Sequence, residues 1–281
     1  MDEEISFQQC AEWIAASDSL LITAGAGMGV DSGLPDFRGW QGLWHAHPAL
    51  ATANIPVERI ASAGCFFEDP TLAWGFYGQR LDAYRRAVPH DGFRILKQIS
   101  ERLPHGAFIF TSNVDGQFQK AGFAEARIHE CHGSIHWMQC MVNCQADIWR
   151  ADRFSPKVNE AHCRLLSALP LCPTCGSIAR PNILMFNDWN WLDDRATRQG
   201  MRMQQWLGEV ERLVVIEVGA GQHIPTVRRF GYRQSGPLIR INPHDPELPS
   251  GRPGVSLRMG GLAALRGIEA ALHGMGYFGG P

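Results

Sequence analysis

The sequence predicts an α/β fold: a doubly wound, Rossmann-like parallel sheet carrying a helical insertion and a small cysteine-paired module. Three observations predict it. Short apolar, β-branched runs recur at Ser19–Thr23, Ala107–Thr111, Leu213–Val218 and Leu238–Ile241. Such runs are read as strands buried on both faces. Helix-like stretches alternate with them, at Phe7–Ala16, Gly92–Arg102 and Gly200–Val210, which is the order of a parallel sheet with crossover helices. The chain has 281 residues and is 45% hydrophobic, enough for one large α/β core with a smaller module.

Two segments interrupt the alternation. The stretch from Trp44 to Pro89 reads as mostly helical, and Trp137 to Pro181 is rich in Cys, Pro and polar residues. The expected division is a core of about 1–44, 90–135 and 182–281, a helical insertion of about 45–89, and a module of about 136–181. The terminal GMGYFGGP is expected to be a loose tail. A formal net charge of −2 leaves no electrostatic footprint for nucleic acid. No apolar run approaches the roughly 20 residues of a membrane span. The acidic start MDEEISFQQC lacks the basic and apolar regions of a signal peptide. The expected location is therefore the cytoplasm, where eight cysteines serve as thiols or metal ligands before disulfides.

In an open α/β sheet, ligands bind beyond the carboxyl ends of the strands. The first strand leads into Gly25-Ala26-Gly27-Met28-Gly29, then Asp36-Phe37-Arg38-Gly39. The second leads into Ser112-Asn113-Val114-Asp115-Gly116, the third into Gly219-Ala220-Gly221, and the fourth into Asn242-Pro243-His244. Three of these four strand ends carry glycine and all carry small or polar groups; together they point to a polyphosphate ligand, with glycines letting backbone N–H groups approach phosphate. The dehydrogenase fingerprint is absent, because its last glycine position holds Val30, and the P-loop Lys-Ser/Thr is missing.

Cys140 and Cys144 form one close pair and Cys172 and Cys175 another, separated by 27 residues. Four thiolates so spaced suit tetrahedral Zn²⁺, and four sulfur ligands leave no open position for water. Cys131 and Cys163 lack partners at ligand spacing, while Cys10 and Cys65 are expected to pack in helices.

The GAG turn, Ser32-Gly33-Leu34-Pro35-Asp36-Phe37-Arg38-Gly39, Thr111-Ser112-Asn113-Val114-Asp115 and His132-Gly133 together resemble the sirtuins, NAD-dependent protein lysine deacylases. The likeness runs on through the cysteines, Arg180-Pro181, Phe186 and Asn242. It implies that NAD is the co-substrate and an acylated protein the partner, giving nicotinamide, O-acyl-ADP-ribose and free lysine. It implies that NAD is held by Gly25, Ala26, Gly27, Asp36, Phe37, Arg38, Ser112, Asn113, Asp115, Gly219, Ala220 and Asn242. His132 matches the family's general base, acting with Asn113 and Asp115; a near-neutral histidine can take the proton of a ribose hydroxyl. His129 and His136 have no such context and are read as structural or exposed. NAD hydrolysis or ADP-ribosyl transfer to protein is the other chemistry this scaffold can carry. Phe186 would line the peptide groove. Tyr77 and Arg80, at i and i+3 on one helical face, resemble the Tyr-x-x-Arg pair of the subclass that prefers succinyl and malonyl groups. Departures from the family are Ser112 for Gln, Gly29 for Ser, Phe186-Asn187-Asp188 for Phe-Gly-Glu, and Gly219-Ala220-Gly221 for Gly-Thr-Ser.

Overall fold

The computed structural model describes residues 3–36, 47–145 and 147–279. Eleven strands run in chain order: β1 Ser19–Ala24, β2 Ala107–Thr111, β3 Ile128–Glu130, β4 Gly133–Cys140, β5 Ile148–Arg150, β6 Val158–Asn159, β7 Arg164–Leu165, β8 Ala179–Ile183, β9 Leu213–Val218, β10 Leu238–Ile241 and β11 Gly254–Leu257. Six of them form one sheet in the order β11-β10-β9-β1-β2-β3, and every neighbouring pair is parallel. The chain order reverses between β1 and β9, which makes their carboxyl ends the natural ligand crevice.

Both faces are covered, as continuous apolar strands require. One face packs on helices Glu3–Ala16, Asp91–Arg102 and Gly261–Gly274, through Ile14, Phe93, Leu96 and Leu265. The other meets Met203 and Trp206 of helix Asp194–Leu207 and Val227 of helix Thr226–Arg233. The four strands expected from apolar runs are present, with β1 one residue longer. The short edge strands β3 and β11 were not expected; β3 reads Ile-His-Glu, too polar and short to stand out.

A second apolar cluster joins helices Ala63–Glu68 and Pro70–Arg86 to β4 and β8, through Phe66, Trp74, Tyr77, Ile135 and Ile183. Trp74 donates its indole N–H to the Ala179 carbonyl, 2.9 Å, so this aromatic is buried with its polar atom satisfied. Asp69 caps the Pro70–Arg86 helix and also pairs with Arg164 of β7. The expectation of a loose tail is corrected: Tyr277 and Phe278 pack on the core, and Arg102 donates to the Phe278 carbonyl, 2.6 Å. Two aromatic rings within reach of an apolar helix face outweigh the surrounding glycines.

The β1 and β9 loops touch backbone to backbone. A Cβ at Gly27 would lie 2.7 Å from Gly219 Cα, and one at Gly219 would lie 2.4 Å from Gly27. Gly219 also has φ of +62°, where a side chain is strained. The glycines thus serve first to let two strand ends close on each other, a different reason from the phosphate approach expected of them. Gly27→Ala is expected to cost about 1–3 kcal/mol by overpacking. It should lower the thermal midpoint; an unchanged midpoint would show that the loops part freely.

Candidate active site

The carboxyl ends of β1, β2 and β9 are fastened into one surface. Gly25 N–H donates to Val218 O, 3.0 Å, and Gly27 N–H to Gly219 O, 3.1 Å. Thr111 Oγ1 donates to Ala24 O, 2.9 Å, and Asn113 Nδ2 donates to Gly25 O, also 2.9 Å. Asn113 is thereby held over the glycine turn by its own side chain. The 3₁₀ segment Ala26–Ser32 is anchored from behind: His90 Nδ1 accepts from Gly92 N–H, so its Nε2–H donates to Met28 O, 2.9 Å.

Asp115 lies buried at the start of the next turn, accepting from Gln117 N–H at 2.9 Å. Burial pushes its carboxyl up to about 6; the nearby Glu130 charge adds to this, while Gln117 N–H and Arg80 oppose it. His132 follows β3, one residue past Cys131, whose N–H donates to Thr111 O at 2.9 Å. That bond brings the histidine beside the Ser112-Asn113 turn. Gly133, at φ +78°, leaves only 2.1 Å between a hypothetical Cβ and Asn182 O, so β8 crosses directly behind. Burial lowers the His132 imidazole below its ordinary value, which keeps it neutral and able to accept a proton near pH 7. His129 packs edge-on against Phe110, and His136 bonds the Asp115 carbonyl at 2.9 Å, both consistent with structural use.

Asn242 is fully buried. Its amide donates to Ala220 O, and its oxygen accepts from His244 and Asp245 N–H, all at 3.0 Å. It acts on the crevice by shaping the β9 and β10 loops. Ser112 and Ala26 are half-buried at the same rim, and Asp36 ends the described part of its loop. Phe37 and Arg38 lie outside the described residues.

Tyr77 and Arg80 do share a face, with the guanidinium 5.8 Å from the Tyr77 ring. Arg80 bonds a different phenol, however: its Nε and Nη2 donate to Tyr84 Oη at 3.0 and 2.7 Å. Phe76 and Tyr84 complete the cage at 5.2 and 5.4 Å. Tyr84 was missed in the sequence, although i+4 from Arg80 places it on the same stripe. Beside the cage, His47 Nδ1 bonds Gln79 Oε1 at 2.8 Å. Phe186 is partly exposed and its N–H donates to Ala61 O, 3.0 Å, across a bridge between Ser62 and Phe186. The residues after it explain one departure. Asn187 takes φ of +53°, a left-handed position that Asn tolerates. Asp188 makes a fully buried two-pronged pair with Arg180, at 2.7 and 2.9 Å.

Residues 25–219 match the family described as Sir2 family. The chain belongs to the Sir2 family. A relative from Thermococcus kodakarensis, named NAD-dependent protein deacylase, is 31% identical over 83% of this chain and 82% of its own. One from Archaeoglobus fulgidus, NAD-dependent protein deacylase 1, is 29% identical over 88% and 89%. An NAD-dependent protein deacylase of Aquifex aeolicus is 29% identical over 60% of this chain and 62% of its own. A solved Sir2 homologue–NAD complex shares the fold at a TM-score of 0.72, with 24% identity over 98% of this chain and 95% of that one.

The four cysteines of this Sir2-family protein converge at the tip of the small sheet, where β4 ends at Cys140. Their sulfurs all lie within 4.8 Å of one another. Cys140–Cys175 and Cys144–Cys172 are each 3.6 Å apart. A tetrahedron of sulfurs about 2.3 Å from a central Zn²⁺ has edges of about 3.8 Å, so the donor set fits zinc in number, chemistry and spacing. Four thiolates close the coordination shell, leaving the metal a structural role. Elemental analysis should give one zinc per chain. Cys172→Ala should lose the metal and melt or aggregate at lower temperature, because binding energy here is folding energy. Metal-free protein with an unaltered midpoint would refute the assignment.

Proposed function

We infer that this Sir2-family protein removes acyl groups from protein lysine side chains with NAD as co-substrate, yielding nicotinamide, O-acyl-ADP-ribose and free lysine. What supports the inference is a half-buried His132, lowered in pKa by burial, that follows Cys131, whose N–H bonds Thr111 O just before the Asn113 turn, with Asn113 itself bonded to Gly25 O. The names of the relatives support it. The fit of NAD is supported by the crevice: backbone-lined glycine loops at the β1 and β9 ends suit a pyrophosphate. NAD brings a glycosidic carbon that can transfer to an acyl oxygen. His132 takes the proton of the attacking hydroxyl, Asn113 and Asp115 orient the nicotinamide ribose, and Phe186 borders the peptide. Asp36, Phe37 and Arg38 are assigned to the loop over that ribose, and Ala26, Ser112, Gly219, Ala220 and Asn242 to the cofactor walls. Acylated protein is the partner this chemistry requires.

The Tyr77–Arg80 cage supports a preference for succinyl or malonyl groups. A guanidinium walled by three rings is poorly solvated, and a terminal carboxylate is its natural partner. Asp115 sits close enough to compete for its charge.

His132→Ala should fold and bind NAD yet lose deacylation by about 10²–10⁴-fold, the usual contribution of a general base. Turnover at the parent rate would remove His132 from the reaction. Arg80→Met should lower kcat/KM for a succinyl peptide by about one to two decades, since a charge-assisted hydrogen bond is worth about 1.5–3 kcal/mol. Acetyl turnover should hold steady. Equal losses for both peptides would make Arg80 a support for Tyr84 and Asp115, and the acyl preference would fall while the deacylase reading stood.

A further inference from the structure

Along the outer edge of β3 lies a recess of about 340 Å³. Helix Asp194–Leu207, the turn Glu125–Arg127 and residues Trp137 and Ile148 of the small sheet enclose it. Arg195, Arg198 and Arg202 line one wall, at i, i+3 and i+7 on a single helical face. The carboxylates that answer them are both taken by Arg195. It pairs with Glu130, which is buried, and with Glu125 on the rim at 3.3 Å. Its other terminal nitrogen is buried without a hydrogen-bond partner.

Among the described residues Arg198 makes no hydrogen bond or ion pair, and Arg202 donates through Nε to Ala126 O, 3.3 Å. With Arg195 paired, Arg198 and Arg202, four apart on the helix, are the like charges that repel, and an anion between them relieves that repulsion. Trp137 offers little room for a planar base, because the guanidiniums of Arg195 and Arg150 already sit 4.9 and 5.0 Å from its ring. The donors left over are N–H groups on forked guanidiniums, which match a doubly charged group with three oxygens.

We propose that this recess binds a phosphate monoester or inorganic phosphate, gripped by Arg198 and Arg202, with Arg195 as the buried floor pinned by Glu130. The site is built from residues outside the NAD crevice, and the inference stands apart from the deacylase reading.

The test is calorimetric titration of the full-length protein with inorganic phosphate, and separately with a lysine-free phosphoserine peptide, in chloride buffer of constant ionic strength. One saturable site per chain is expected. The double variant R198E/R202E should weaken it about a hundredfold or more, since each of the two lost charge-assisted contacts is worth at least about a decade. Both side chains are exposed, and the variant should turn over an unphosphorylated acyl peptide as the parent does. Arg198→Gln, which reverses no charge, serves as a milder second variant and should weaken binding in the same direction. Equal affinity for both probes makes a free phosphate the ligand; tighter binding of the peptide makes it a phosphorylated protein segment. Absence of saturable binding to the parent protein, or equal binding by the parent and both variants, would overturn the proposal.

Discussion

Gly25, Gly27 and Gly219 meet with no space for a side chain between them, and the working surface is assembled outward from that contact. It sets the carboxyl ends of β1 and β9 against each other at the place where strand order reverses. Asn113 then bonds Gly25, Asn242 bonds Ala220, and Arg228 spans Ala220 and Asp245 at 2.9 and 2.6 Å. Each of these side chains spends its polar atoms on the backbone of a neighbouring loop. These bonds tie the strand-end loops to one another without a ligand, which reduces the ordering cost of binding.

Buried ion pairs fix the joints around that surface. Arg180–Asp188 holds the segment after β8, Arg195–Glu130 holds the strand that leads to His132, and Arg240–Glu217 joins adjacent β10 and β9. Such pairs add little net stability compared with apolar packing, yet removing one partner costs about 3–5 kcal/mol because a charge is left stranded. They act as register pins. Within Phe186-Asn187-Asp188, Asp188 is held by Arg180 and Asn187 accepts the left-handed turn, so this segment is fixed by its own residues.

The long apolar strands, the crossover helices and both cysteine pairs were legible in the sequence, because continuous β-branched runs and ligand spacing are local signals. β3 was not, since three residues with a central histidine carry no period. The C-terminal segment was misread because glycine content masked Tyr277 and Phe278, whose packing depends on a helix far away in sequence. Within the site, Asn113, Asp115 and His132 stood out through their motif. His90 and Arg195 did not, because their partners, Met28 and Glu130, lie far away in the chain, and Tyr84 was passed over because Arg80 was matched with Tyr77 rather than with its neighbour one turn on. The glycines were found for one reason and are needed first for another, as backbone separation is invisible in a linear sequence.

Transfer of ADP-ribose to an acyl-lysine oxygen is the reaction we infer for the crevice. The most direct measurement is mass-spectrometric product analysis of the zinc-loaded protein incubated with NAD, with and without acetyl- and succinyl-lysine peptides. Nicotinamide, free lysine and O-acyl-ADP-ribose are expected in equal amounts, with no nicotinamide release when peptide is omitted. Nicotinamide and plain ADP-ribose formed without peptide, or ADP-ribose attached to protein, would contradict that inference.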